Sequence, residues 1–201
     1  MPTSIWTSLS FILNEIMKLS PTPQSVLDVG LGSGKYGFLC REYLTYWNSP
    51  VPRRITIHGI EAFPDYITPL QKQIYDEIFI GDALSILGSL GTQSYDLLLL
   101  IDVLEHFEKT VGHDLLRECQ RVAKAVIVST PSQFWPQGEN WGNAAEKHLC
   151  LWTKHELKKC GARRVFKKEN WIGIFVRPPY DEPFRLRVRL WRLAHKLFPT
   201  I

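Results

Sequence analysis

Long apolar runs are missing from this chain: no stretch approaches the ~18 uninterrupted apolar residues that a membrane-spanning helix needs. Paired cysteines are missing as well. Cys40, Cys119, Cys150 and Cys160 lie far apart and form no C-x-x-C motif, which argues against a zinc ribbon or a disulfide framework. The first nineteen residues carry no cationic leader and no small-residue cleavage site. Asn14, Glu15 and Lys18 interrupt their apolar pattern, so residues 1–20 are expected to hold an amphipathic helix and not a signal peptide. A reducing cytoplasm is the compartment these features suggest. Internal repeats are absent too, and 201 residues suit one domain with a substantial core.

Acidic residues are absent from one place in particular. Residues 184–198 hold Arg185, Arg187, Arg189, Arg192 and Lys196 with no acid. Removing that +5 from the net +4 leaves the body at −1. The basic character therefore belongs to a tail, 181–201, whose leucines Leu186, Leu190, Leu193 and Leu197 form a stripe beside the cations. A basic amphipathic helix of this kind suits docking on the domain, a homodimer contact or peripheral attachment to a membrane surface. Nucleic acid ranks last, because the rest of the chain lacks a basic face.

What is present is alternation. Apolar segments at 26–29, 55–60, 78–80, 95–101 and 125–129 alternate with amphipathic stretches at 35–46, around 69–75 and at 110–122. That is the pattern of a parallel sheet with helices on both faces. Leu97 to Ile101 are all apolar, as expected of a central strand buried on both sides. The segment 131–150, rich in Gly, Asn, Pro and Trp, is the longest irregular one, and such loops often carry function. A helix over 153–159 is predicted with Thr153 as N-cap, Glu156 completing a capping box and Gly161 as its stop. Residues 164–167 and 171–177 read as a closing hairpin.

The glycines after the first strand admit competing readings. A phosphate-binding P-loop ending at Gly34-Lys35 would need glycine at Val29 and a hydroxyl at Tyr36, so it fails. A dinucleotide fingerprint, G-x-G-x-x-G, matches Gly32, Gly34 and Gly37, but it starts two residues after the strand end at Gly30. Asp28 would also repel a diphosphate. Taken from Gly30 the spacing is G-x-G-x-G, with the acid two residues before it.

Asp28-Val-Gly30-Leu-Gly32-Ser33-Gly34 resembles the first motif of class I S-adenosylmethionine-dependent methyltransferases, and later positions extend the likeness. Glu61 ends the second strand 27 residues after Gly34, Gly81-Asp82-Ala83 follows the third, and Ile101-Asp102 ends the fourth. The resemblance implies a Rossmann-like three-layer sandwich, with a mostly parallel seven-stranded sheet whose last strand is antiparallel. It implies that the glycine loop approaches the cofactor closely and that Asp28 faces the methionine ammonium. Glu61, followed by Ala62, would take the ribose hydroxyls, Asp82 would meet the adenine amino group, and Ile101 and Asp102 would face the transferable methyl. S-adenosylhomocysteine would be the product.

His106, in Asp102-Val-Leu-Glu105-His106, is the leading general base, because its charge changes near physiological pH. Asp102-x-x-Glu105-His106 with the distant His148 also resembles the carboxylate–histidine cluster that holds a divalent ion in some small-RNA and ubiquinone-pathway O-methyltransferases. Asp102 departs from the Glu usual there, and no metal ligand set is assigned. The loop 131–150 is read as the acceptor lid, with Trp135 and Trp141 either stacking on an acceptor or pinning the loop. Transfer to a small-molecule, glycan or lipid acceptor, at oxygen or nitrogen, is the expected activity. A non-catalytic cofactor-binding regulatory or assembly subunit is the competing class, and a nicotinamide oxidoreductase ranks third.

Overall fold

The computed structural model describes residues 3–46, 51–140 and 142–180. A 3-10 turn, Trp6–Ser8, leads into α1 (Leu9–Met17). Then follow β1 (Ser25–Val29), α2 (Lys35–Thr45), β2 (Thr56–Glu61), α3 (Pro69–Ile74), β3 (Glu77–Ile80) and α4 (Ala83–Ser89). The second half holds β4 (Tyr95–Ile101), α5 (Lys109–Val122), β5 (Ala123–Pro131), α6 (Lys154–Lys159), β6 (Arg164–Lys167) and β7 (Asn170–Val176). The seven strands form one sheet in the order β3-β2-β1-β4-β5-β7-β6. The β1 to β5 pairings are parallel, and β7 runs antiparallel to both β5 and β6. This is the Rossmann-like fold that the motif order implied.

The continuous apolar run at Leu97–Leu100 is explained by two cores. Leu97, Leu99 and Ile101 face one side with Ile12, Ile16, Cys40 and Leu44 of α1 and α2. Leu98 and Leu100 face the other with Leu87 of α4, Leu115 and Cys119 of α5, and Leu157 of α6. Strand side chains alternate between faces, so a strand covered on both sides must be apolar at every position. The capping box at Thr153 forms as predicted: Glu156 N–H donates to Thr153 Oγ1 at 3.2 Å and Thr153 N–H to Glu156 Oε2 at 2.8 Å.

Two elements differ from expectation. The N-terminal helix is shorter than residues 1–20, confined to α1 with a 3-10 turn before it. Helix α4 was not foreseen; Asp82, read only as a cofactor acid, is its N-cap and accepts from Ser85 N–H at 2.8 Å. The tail 181–201 and Trp141 lie outside the described residues.

The carboxyl ends of β1, β2 and β4 lie side by side, with Val29 beside both Ile60 and Leu100. Strand order reverses between β1 and β4, and open α/β sheets place their ligand crevice at such a switch point.

Candidate functional site

A cavity of about 920 Å³ opens at that edge. It lies near the top of the ~300–1,000 Å³ range of ligand sites, which leaves room for a cofactor and an acceptor together. Its walls bring together residues that the sequence spreads over more than a hundred positions. Asp28, Gly30, Gly32, Ser33, Glu61, Ala62, Asp82, Ala83, Ile101, Asp102, Glu105, His106 and His148 all line it. Gly34 and Gly81 belong to the same two turns, at φ +79° and +146°.

The glycine loop is fixed from two sides. Gly30 N–H continues the sheet ladder to Ile60 O at 2.9 Å. Glu61 is buried at the end of β2, where Oε2 accepts from Gly32 N–H at 3.1 Å and Oε1 from Phe63 N–H at 3.0 Å. Gln71 of α3 donates to Gly32 O at 2.9 Å from beneath. Gly30, Gly32 and Gly34 all take positive φ, a region costly to residues with a Cβ.

Asp28 is buried and accepts from the Tyr75 hydroxyl at 2.6 Å. Burial pushes its carboxyl up to about 6, against the pull of that hydroxyl. Tyr75 explains the glycine that completed the dinucleotide fingerprint. A Cβ on Gly37 would come within 2.3 Å of the Tyr75 ring, and one on Gly59 within 3.2 Å of it. Gly37 therefore makes room for a tyrosine, and the nicotinamide reading loses its third glycine. Nothing local in the sequence marked Tyr75, which stands 47 residues from Asp28.

Asp102 has φ +55° and is tied down on three sides. Its Oδ1 accepts from Ser129 Oγ at 2.7 Å and Asn170 Nδ2 at 2.6 Å, and its Oδ2 from Ile5 N–H at 3.2 Å. Asp102 thus joins β4, β5, β7 and the N-terminal segment. Lys35 holds the same segment by donating to Ser4 O at 2.7 Å. Asn170, Lys35 and residues 3–5 are site features that the sequence did not signal.

Beyond Asp102 the chain makes a 3-10 turn, Leu104–His106, which presents Glu105 and His106. Glu105 is 1% exposed, and its Oε2 has no hydrogen-bond partner. Burial, with the Asp102 charge second, lifts it well above the usual carboxylate range. The His106 and His148 rings stand 4.9 Å apart. His106 Nδ1 lies 3.1 Å from Lys147 O, and His148 Nδ1 lies 2.8 Å from Trp135 O. A carbonyl only accepts, so both Nδ1 atoms carry the proton and both Nε2 atoms keep a lone pair. Burial lowers the pKa of each imidazole, which keeps them neutral at pH 7. Glu105, His106 and His148 each offer a ligand atom within 4.8 Å of the others. Asp102 falls outside that cluster.

The loop 131–150 closes this end. Leu149 N–H donates to Glu105 O at 2.8 Å. Trp152 is fully buried, with Nε1 donating to Leu104 O at 3.3 Å, and Gly112 makes room for its ring. Trp152 thus pins the loop's exit, while Trp135 is 65% exposed and pins nothing.

Residues 7–169 match the family described as "Methyltransferase domain". The chain belongs to that family. It is a class I S-adenosylmethionine-dependent methyltransferase. Solved structures share the fold. A SAM-dependent methyltransferase from Archaeoglobus fulgidus aligns at 19% identity over 79% of this chain and 69% of its own, with TM-score 0.56. A protein from Pyrococcus horikoshii OT3 aligns at 16% identity over 85% and 87%, with TM-score 0.59. A putative O-methyltransferase from Nostoc punctiforme aligns at 18% identity over 82% and 54%, with TM-score 0.57. No curated protein matches the chain. Among the described residues, no helix is long and apolar enough to cross a membrane.

The methyltransferase site suits its cofactor on charge. Six acidic side chains line the cavity (Asp28, Glu61, Asp82, Asp102, Glu105 and Glu146, of which buried Glu105 is pushed furthest toward its uncharged form) against one ammonium, Lys35, among the described residues. A sulfonium with an ammonium group gains from such walls, and a diphosphate is repelled by them.

Proposed function

We propose that this enzyme transfers the methyl group of S-adenosylmethionine to a hydroxyl oxygen, with His106 as general base. The pair of imidazoles carries this reading, each with Nδ1–H directed at a backbone carbonyl and its ring lining the cavity. An alcohol must lose its proton as it attacks, whereas an amine in its free-base form needs no such help.

Asp28 holds the ammonium of the cofactor's amino-acid part, and the backbone of Gly30, Gly32, Ser33 and Gly34 passes beneath that part. Glu61 and Ala62 flank the ribose; Gly81, Asp82 and Ala83 form the adenine edge; Ile101 and Asp102 close the methyl end. When bound, the cofactor supplies a methyl on a sulfonium: the new C–O bond forms in line as the C–S bond breaks, and S-adenosylhomocysteine leaves. The chain's own task is alignment in a dry pocket. His106 Nε2 receives the acceptor's proton, while Lys147 O stabilises the resulting imidazolium through Nδ1–H. Burial, with the Asp102 charge second, pushes the Glu105 carboxyl well above the usual carboxylate range, which favours its uncharged form beside the attacking oxygen. His148, its ring 4.9 Å from that of His106, contacts the acceptor on the same side. Residues 1–180 act as one domain, with 131–150 as the acceptor lid.

The test is turnover after His106→Ala and His148→Ala. Loss of about 10²- to 10⁴-fold in kcat with His106→Ala, at unchanged S-adenosylhomocysteine affinity, is expected. Full activity in both variants would sink the reading. The spacing of Glu105, His106 and His148 favours one second reading, in which the three hold a divalent ion that acidifies the acceptor hydroxyl. Activity abolished by a chelator and restored by magnesium, manganese or zinc would select it.

A further inference from the structure

The acceptor end of the cavity differs in chemistry from the cofactor end. It is walled by Trp135, Gln137, Asn140, Asn143, Glu146 and Asn170, and Lys35 is the one lysine or arginine among the described lining residues of the whole cavity. Lys35 sits at the start of α2 beside the cofactor loop and is engaged by Ser4 O. Lys147 belongs to the lid but pairs with Glu139 at 3.0 Å, and it does not line the cavity. A phosphate or carboxylate on the acceptor would therefore face Asp102 and Glu146 with one cation near, Lys35, whose ammonium already donates to Ser4 O and Thr3 Oγ1. That disfavours anionic acceptors. A lipid chain fits no better, since it would bury the Glu146 carboxylate against an apolar surface.

Trp135 adds a second, independent feature. Its backbone is fixed, because Trp135 O accepts from the His148 ring at 2.8 Å, yet its indole is left 65% exposed at the cavity mouth. An anchored aromatic plane with nothing packed on it is a platform for a ligand that has both an apolar face and polar edges. The half-buried Glu146 also lines the cavity, and its carboxylate, already met by the Tyr66 hydroxyl and approached by Gln137 Nε2 at 3.5 Å, has lone pairs left to accept from a ligand hydroxyl. Gln137 Nε2 donates to Glu146 O at 2.7 Å and fixes that residue's main chain.

Building on the assignment of His106 to a hydroxyl acceptor, we propose that the acceptor is an uncharged sugar. Its C–H face lies on Trp135, and its hydroxyls reach Glu146 and the lid amides. The indole sets affinity for the sugar and takes no part in the transfer, so it is a binding residue.

The experiment uses the full-length enzyme with S-adenosylmethionine and follows S-adenosylhomocysteine release. Acceptors are methyl glycosides of glucose, galactose, mannose and fucose, set against glucose 1-phosphate, galacturonate, catechol and tyramine. Turnover of at least one neutral glycoside, with glucose 1-phosphate and galacturonate at least tenfold poorer, is expected. Trp135→Ala should raise KM for that glycoside tenfold or more with kcat within twofold, Trp135→Phe should restore most of the affinity, and S-adenosylhomocysteine binding by calorimetry should not change. Preference for the anionic sugars, or no effect of Trp135→Ala, overturns the proposal. So does the lack of both turnover and saturation-transfer NMR signals for every glycoside in the presence of S-adenosylhomocysteine. Catechol as the sole acceptor would overturn the sugar while leaving hydroxyl methylation standing. Tyramine methylated at nitrogen would overturn the hydroxyl reading itself.

Discussion

Asp28 answers to two opposite requirements. Its buried carboxyl is pushed up to about 6, with Glu61 adding to the effect of burial and the Tyr75 hydroxyl and Gly37 N–H opposing it. A carboxyl raised above its unfolded value stabilises the fold when protonated. That contribution is complete below about 4 and is lost as pH rises through about 6. In the proposed role of holding the cofactor's ammonium Asp28 would need the ionised form, so affinity should then run the other way. Calorimetry at pH 5 should give roughly tenfold weaker S-adenosylhomocysteine binding than at pH 7.5, one pH unit below the folded pKa being worth about one decade. Asp28→Asn should bind weakly at both values and flatten the profile. Gly37→Ala tests the tyrosine beneath. Its Cβ would fall 2.3 Å from the Tyr75 ring and force that ring away from Asp28. Urea denaturation should show a loss of about 1–3 kcal/mol, as for other overpacked cores.

Individual elements were legible where a single physical rule dominated. The run of leucines in β4 could only be a strand covered on both faces, and the Thr153 and Glu156 pair could only open a helix. Both stand as read. Thr153→Ala should therefore cost about 1 kcal/mol, the usual worth of an N-cap, in thermal or chemical melts. Leu98→Ala, in the middle of β4, should cost about 2–5 kcal/mol through the cavity it leaves. Helix α4 escaped because it is short and contains Gly88, and because its capping acid, Asp82, also fitted a cofactor motif. The site divided in the same way. Its motif acids and glycines lie at or just after strand ends, where sequence order equals spatial order, and the structure brings most of them to one cavity. Tyr75, Asn170 and the contact of Ile5 with Asp102 are long-range pairings, and no local pattern encodes them.

At the scale of the whole molecule, the cofactor and acceptor regions share one cavity and one sheet edge. S-adenosylhomocysteine at a hundred times its Kd should stabilise the folded enzyme by about 2.7 kcal/mol. For a chain of this length that is a rise in Tm of about 5–11 °C. NAD at the same concentration should leave Tm unchanged, and an equal rise with NAD would contradict the assignment of the glycine loop.

The lid has a consequence for how this enzyme can change. The carbonyls that fix the tautomers of His106 and His148 belong to Lys147 and Trp135, residues of the same loop that shapes the acceptor pocket. On the proposed roles of the loop and of His106, specificity and proton transfer would therefore be written in one segment of chain. Grafting a foreign 131–150 loop to recruit a new acceptor would also redraw the base. Variants with altered preference should arise more readily by exchanging side chains such as Trp135 or Glu146 within the existing loop than by replacing its backbone.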